Sequence, residues 1–367
     1  DVTSTMYGSY SDMLSTAKSR RNGTNIRPHI QCENTHAMGN SMGNQIDYFR
    51  EIYEPYPAMV GEFVWDWKDQ GLKVSATNAP MKFEALGRKG QADVVSILDI
   101  SKGEYWAYGG DFGDRPSDNN FCCNGVVLAD NSPTAKSFEM KKIYQPLDFV
   151  MKDSANAVFT LKSKLQQRVL DDLNVSYVLL EDGMEIARGD IKDVVLGVGQ
   201  TRDVALAKAK ALVTAPQHPE AEYHIRFIAT QKEDTEWAKA GFEVASEQIL
   251  LRAATDRKPY EALGGGKLQI TETDNAVTIT GDHFSVAFVD GLLTAYTVNG
   301  KNMLAAPMTL QVFRLPTDNE RGRTGTYDRM GIRKLDFTPG KLEVTASKDK
   351  QSATVVAVNS YASSGNN

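Results

Sequence analysis

The run Ile30-Gln31-Cys32-Glu33-Asn34-Thr35-His36-Ala37-Met38-Gly39-Asn40 sets a carboxylate and an imidazole close together, followed by a Gly/Asn/Ser turn. Glu33 ends a short strand-like stretch that opens at Arg27-Pro28, and a proline suits the first residue of a strand. A carboxylate fixed at a strand tip can serve as a covalent nucleophile. Taken alone, Glu33 also fits an ion-paired surface side chain. His36 fits a metal ligand, a base or a donor to hydroxyl groups. No second histidine stands near it at zinc-ligand spacing, which argues against metal.

A second chemical signal is Val60-Gly61-Glu62-Phe63-Val64-Trp65-Asp66-Trp67-Lys68-Asp69-Gln70. It reads as a buried strand ending in two indoles and two acids. An indole at a strand tip can stack on the apolar face of a sugar ring, although an isolated Trp more often plugs a core. A third run, Thr3-Ser4-Thr5-Met6-Tyr7, ends in a polar aromatic.

Each of these tips needs an element to hold it. Apolar spacing predicts a helix over Ser11 to Ser19 and another over Asn44 to Tyr56, the latter burying Ile46, Phe49, Ile52 and Tyr53. Strand, polar tip and helix make a βα unit, and in a βα barrel the chemistry sits at the carboxyl ends of the strands. Thr134 to Gln145 reads as a closing helix, with Phe138, Lys141 and Tyr144 forming a partly apolar face. Residues 71–103 interrupt the pattern as a long loop, with an alternating run at Asp93 to Leu98.

From about Pro146 the pattern changes to short alternating strands, among them Ala157–Leu161, Val175–Leu180 and Tyr223–Ile228, with a turn at Glu181-Asp182-Gly183. Several such strands over roughly 100 residues fit an immunoglobulin-like sandwich. Ala253 to Gly266 reads as a linker. Leu268–Thr271, Ala276–Thr280, Phe284–Phe288 and Lys341–Thr345 are strand-like beyond it.

Taken together and in order, Met6-Tyr7, Cys32-Glu33, His36-Ala37-Met38-Gly39-Asn40-Ser41, Phe63-Val64-Trp65-Asp66-Trp67, Tyr108 to Asp114 and Phe121-Cys122-Cys123-Asn124-Gly125 resemble the second half of the catalytic barrel of a glycoside hydrolase family 2 β-galactosidase. Weaker likeness continues at Trp237-Ala238-Lys239-Ala240-Gly241 and Arg314-Leu315-Pro316-Thr317-Asp318-Asn319.

The expected fold is therefore multidomain, α/β plus β. A partial (β/α)8 TIM barrel spans 1–146, an immunoglobulin-like β-sandwich 147–253, and an incomplete C-terminal β-sandwich 264–367. The resemblance implies a retaining exo-β-galactosidase that takes terminal β-galactosides such as lactose. Another family 2 activity, β-glucuronidase or β-mannosidase, is the alternative within the enzyme class. A non-catalytic carbohydrate-binding fragment is the alternative outside it.

Carried over residue by residue, Glu33 is the nucleophile and Tyr7 its hydrogen-bonding partner. His36, Trp65, Met6 and Asn124 contact the substrate. The Phe121 carbonyl and the Asn124 amide oxygen hold a sodium or potassium ion, whose remaining carboxylate ligand lies upstream. The acid/base glutamate follows an asparagine in the family, and no matching Asn-Glu stands in residues 1–130; Asn319-Glu320 lacks the context. The magnesium ligands are expected outside the chain as well. Asp66, Asp69, Asp111 and Asp114 read as structural acids that pair with arginines and cap turns at the barrel rim.

The bulk numbers fit this reading. The 367 residues are 41% hydrophobic and 24% charged, ordinary for a globular protein. A net charge of −6 argues against nucleic acid as a partner. No apolar run approaches the roughly 18–20 residues that span a bilayer. Three cysteines give neither a disulfide framework nor zinc spacing and read as reduced, mostly buried thiols. The chain opens in a strand and stops soon after another, so it reads as a piece of a longer polypeptide, with any targeting segment upstream. Its expected partners are the missing N-terminal part of the same polypeptide and, in the intact protein, further copies in a homo-oligomer.

Overall fold

The computed structural model describes all residues except 22–26, 76–102, 113, 256–265, 318, 321–323 and 364–367. It divides into two units, Asp1–Arg257 and Lys258–Asn367.

The first unit opens with β1 (Thr3–Met6), α1 (Tyr10–Arg21), β2 (His29–Asn34), α2 (Gln45–Tyr48) and β3 (Met59–Val64). The three strands form one parallel sheet in the order β1-β2-β3. Parallel neighbours require a crossover, and α1 and α2 supply it. α2 runs on as a π-helical turn over Phe49–Tyr53. The expected helix over Asn44 to Tyr56 is thus shorter and changes its pitch midway. Met13, Ala17, Tyr48, Ile52, Tyr53 and Met59 bury its apolar contacts with α1 and the sheet.

The strand expected to be buried through Val60–Val64 is half open. Val60 and Phe63 are 53% and 63% exposed, because they face away from both helices of a three-stranded sheet. At the start of the 71–103 stretch β4 (Leu72–Ser75) pairs with β5 (Glu104–Ala107), just beyond it, as an antiparallel ribbon. The alternating run at Asp93–Leu98 lies outside the described residues.

α3 (Ala135–Ile143) is the expected closing helix. Thr134 caps it: its side chain accepts from Lys136 N, while Ser137 Oγ accepts from Thr134 N at 3.1 Å, satisfying amides that the first turn leaves open. The buried face differs from the expected one. Met140 and Ile143 point inward, whereas Phe138 is 63% exposed and Tyr144 is also exposed, packing edge-on to Phe49 at 5.0 Å.

The rest of this unit is β6 (Leu147–Asp153), β7 (Val158–Ser163), β8 (Leu173–Glu181), β9 (Met184–Ile191), β10 (Thr201–Ala205), α4 (Ala207–Thr214), β11 (Tyr223–Gln231) and β12 (Glu243–Arg252). These strands form two antiparallel sheets, β10-β7-β6 and β12-β11-β8-β9. Strict alternation, seen in β11 as buried Tyr223, Ile225, Phe227, Ala229 and Gln231, turns one face of each sheet to a shared core. Phe227 stacks on Phe149 at 4.8 Å and meets Phe159 at 4.9 Å. Each such fully buried side chain contributes roughly 1.5–3 kcal/mol through lost water contact. The predicted turn joins β8 to β9, with Asp182 and Gly183 both at positive φ as a two-residue hairpin demands.

The second unit contains a five-stranded antiparallel sheet in chain order: β13 (Gln269–Glu272), β14 (Ala276–Thr280), β15 (Phe284–Val289), β16 (Leu292–Val298) and β17 (Lys301–Asn302). It continues with α5 (Thr324–Met330), β18 (Leu335–Thr338), β19 (Leu342–Ala346), β20 (Ala353–Ala357) and β21 (Ser360–Ser363), which pair as the ribbons β18-β21 and β19-β20.

Candidate active site

Five of the seven residues singled out by sequence, Met6, Tyr7, Glu33, His36 and Trp65, fall at or just beyond the carboxyl ends of β1, β2 and β3, and Phe121 and Asn124 lie on a fourth segment. Met6 ends β1 and stands opposite Glu33 in the strand register. Tyr7 follows in the left-handed region, φ 48°. Its backbone N–H donates to the Glu33 carbonyl at 2.8 Å, which brings its phenol near the half-buried Glu33 carboxylate. Burial, the interaction with Glu33 and the charge of Asp66 push the Tyr7 phenol up to about 12, so it is protonated at neutral pH.

His36 lies two residues beyond β2. Its ring centroid is 6.0 Å from that of Tyr7 and 5.6 Å from that of Phe121. Trp65 follows β3 directly and is 37% exposed. Its N–H donates to Asn34 O at 3.0 Å and its carbonyl accepts from Ala37 N at 2.7 Å, so the tips of β2 and β3 are tied together.

A fourth segment, a 3₁₀ turn at Asn119–Cys122 and the residues after it, lies along the tip of β3. Asp66 N donates to Asn124 O at 3.0 Å, Val126 N to Asp66 O at 2.9 Å, Val127 N to Trp67 O at 3.0 Å and Gln70 N to Cys122 O at 3.0 Å. Gly125 allows this approach: a Cβ there would lie 2.0 Å from Asp69 N. Asn124 is buried. Its amide nitrogen donates to the Phe121 carbonyl at 3.1 Å, and its Oδ1 has no hydrogen-bond partner.

The four tempting aspartates hold turns. Asp66 accepts from Lys68 N and Gln70 Nε2, Asp69 from Gly125 N, Asp111 from Tyr108 N and Asp114 from Gly110 N. Glu320, in the second unit, is locked by both guanidinium nitrogens of Arg314 and by Tyr327; the Arg314 contact is first among the causes that bring its carboxyl down to about 2. The three cysteines form no disulfide, but Cys32 is exposed and Cys122 and Cys123 are half-buried, so the expectation of mostly buried thiols fails. Among the described residues no group of three His, Cys, Asp or Glu side chains converges on a metal position. No helix among them is long and apolar enough to cross a membrane.

Sequence reasoning missed two supports. Lys136, at the start of α3, donates from Nζ to the Ala37 carbonyl at 2.5 Å; burial lowers its amine, partly countered by Asp69. Glu62, on the helix-facing side of β3, gathers Asn34, Thr35, Gln45 and Tyr53 around its carboxylate. The available signal was a carboxylate in the middle of an otherwise apolar strand.

Comparisons with known proteins agree on one family. Residues 1–149 match the family described as "Glycosyl hydrolases family 2, TIM barrel domain", and residues 159–252 match "Beta-galactosidase, domain 4". A curated "Beta-galactosidase" of Priestia megaterium is 30% identical over 324 residues, covering 88% of this chain and 28% of the relative. Another, from Halalkalibacterium halodurans, is 32% identical over 314 residues, covering 82% of this chain and 26% of the relative. The chain thus spans about a quarter of the length of the curated relatives it matches. A solved exo-chitosanase, CsxA of Amycolatopsis orientalis, aligns at 13% identity and a TM-score of 0.23 over 65% of this chain and 26% of that one, too distant to carry an argument.

Proposed function

Because the chain belongs to glycosyl hydrolase family 2, we propose that it is part of a retaining β-galactosidase acting on terminal β-galactosides such as lactose. The observation that carries this reading is the Tyr7–Glu33 pair at neighbouring strand tips. Retaining hydrolysis needs a carboxylate that attacks the anomeric carbon and a second carboxyl group about 5–5.5 Å away that protonates the leaving oxygen. Glu33 takes the first role. One of its oxygens bonds to the anomeric carbon as the bond to the aglycone oxygen breaks. Tyr7, protonated at neutral pH, donates to Glu33 and holds it in place. The second carboxyl group is supplied by a part of the protein outside this chain. In this reading Trp65 offers the apolar platform for the galactosyl ring, and His36, Met6 and Asn124 are further contacts to the sugar.

The Asn124 side chain and the Phe121 carbonyl suit a sodium or potassium ion. Asn124 Oδ1 is a buried acceptor without a partner, and turning the amide would present two oxygens to a cation. Such an ion supplies fixed positive charge beside the His36–Phe121 contact. The described residues offer no comparable set for magnesium. In this reading residues 1–146 belong to the catalytic barrel, 147–253 form an immunoglobulin-like linking domain, and 264–367 begin a larger C-terminal sandwich. The intact protein is a homo-oligomer.

The test is covalent labelling. A 2-deoxy-2-fluoro-galactoside with a good leaving group should esterify Glu33 in the intact protein, and Glu33→Gln should lower kcat by several orders of magnitude in a folded enzyme. A label on another residue would discard the assignment.

A further inference from the structure

We infer that Glu62 is a positioning residue for Glu33, an inference that rests on reading Glu33 as the nucleophile. Glu62 sits on β3 with its side chain on the helix side of the sheet, away from the substrate face. Its Oε2 accepts from Asn34 Nδ2 and from Tyr53 OH at 3.0 Å. Its Oε1 accepts from Gln45 Nε2 at 2.5 Å and from Thr35 Oγ1 at 3.4 Å. Tyr53 OH in turn accepts from Gln31 Nε2 at 2.7 Å. Gln31, Asn34, Gln45 and Tyr53 are all buried. No lysine or arginine among the described residues pairs with Glu62.

The geometry matters because of where the donors sit in the chain. Asn34 and Thr35 immediately follow Glu33. Thr35 is held at φ 51°, a conformation that a β-branched residue adopts only when its surroundings impose it. Gln45 and Tyr53 belong to the helix that follows β2. One carboxylate thus links β3, the tip of β2 and the succeeding helix through four neutral donors. It fixes the direction in which the chain leaves Glu33 and the place at which His36 arrives.

A neutral amide at position 62 keeps the volume but replaces one acceptor oxygen by an N–H₂ group. That group would face the Asn34 or Gln45 amide, donor against donor. The tip should then relax, and the Glu33 oxygen should lose its alignment. Misplacement of about 1 Å costs on the order of 100-fold in rate.

The experiment uses the intact protein and the limiting rate constant for inactivation by 2,4-dinitrophenyl 2-deoxy-2-fluoro-β-galactoside. In that reaction the Glu33 oxygen bonds to the anomeric carbon and dinitrophenolate leaves. The constant is a property of each functional site, so a loss of folded protein does not alter it. In Glu62→Gln it should fall by at least about tenfold, while the half-saturating reagent concentration changes less than about threefold. An unchanged constant with Glu33 labelled normally would overturn the inference and leave Glu62 a packing residue. Wild-type protein that shows no label on Glu33 would remove the catalytic reading itself, and the inference with it. If Glu62→Gln does not fold, Tyr53→Phe and Gln45→Ala each remove one donor. Both should slow inactivation about two- to fivefold, and wild-type constants in both would overturn the inference equally.

Discussion

The Tyr7 amide donates to the Glu33 carbonyl at 2.8 Å, which brings the Tyr7 phenol near the Glu33 carboxylate. That backbone bond fixes the relative height of two neighbouring strand tips. In Tyr7→Phe the strands should stay in place while the carboxylate loses a donor. Removing one oriented donor of this kind costs roughly 10²–10³ in kcat, with a smaller effect on KM. The phenol itself, pushed up to about 12, should contribute a tyrosinate absorbance step near that pH in the wild type, and Tyr7→Phe should lack it. A wild type minus Tyr7→Phe difference spectrum whose step falls at the ordinary value near 10 would mean that the pair does not form.

Trp65 keeps an exposed indole while its backbone is tied to Asn34 and Ala37. Trp65→Ala should weaken a bound galactoside inhibitor by roughly 1–3 kcal/mol, as for other aromatic anchors. Calorimetric titration of the intact protein measures it. Unchanged affinity in a folded variant would make Trp65 a packing residue only.

Asn124→Ala removes the one side-chain oxygen at the proposed monovalent cation position. The wild type should show a dependence of kcat/KM on sodium or potassium, and the variant should lose it. A wild type indifferent to both ions across a concentration series would contradict the site.

His29 is buried in β2, with Nδ1 at 2.8 Å from Thr3 Oγ1 and 3.3 Å from Arg20 Nη2, and Nε2 at 3.1 Å from Thr5 Oγ1. Burial, and then the Arg20 charge, lower its pKa below the ordinary value near 6.5. The neutral ring is the form that fits. Its stabilisation is complete above about pH 6.5 and is lost as pH falls through the lowered folded-state value, because the unfolded chain binds the proton first. Urea midpoints should therefore decline on acidification below about pH 6.5, and less steeply in His29→Gln. Equal slopes would place the acid sensitivity elsewhere.

The isolated chain should not hydrolyse a nitrophenyl galactoside. Among the described residues its parallel sheet has three strands, where a closed (β/α)8 barrel has eight, and the proposed mechanism draws its acid/base carboxyl group from outside this chain. Adding the segment that carries it should restore turnover. Efficient hydrolysis by the chain alone would reveal an acid/base residue within it.

The strand tips were legible because their signal is local. Alternation ends, a chemically distinctive side chain follows, and Gly or Asn turns the chain. The hairpin at Asp182-Gly183 was legible for the same reason. The helices were read less well. Periodicity gave Phe138, Lys141 and Tyr144 as a partly apolar face, but α3 buries Met140 and Ile143. The π-helical turn at Phe49–Tyr53 leaves no mark in an apolar repeat. Glu62 was passed over because its importance arises from donors 9 to 28 residues away, brought together only by the fold.

The layer between the parallel sheet and its helices has a thermal consequence. It mixes the apolar Met13, Ala17, Ile52 and Met59 with buried polar His29, Gln31, Asn34 and Gln45, whereas the sandwich core is built from Phe149, Phe159, Leu161, Ile225 and Phe227. Exposing apolar surface raises the heat capacity by roughly 0.45 cal/K/mol per Å², and exposing polar surface lowers it by roughly 0.26. The barrel segment should therefore melt with a smaller heat-capacity increment per residue than the sandwich, and its stability should vary more gently with temperature. On cooling, where apolar burial weakens, the sandwich loses more of its margin, so the two layouts divide the protein's tolerance between its warm and cold extremes.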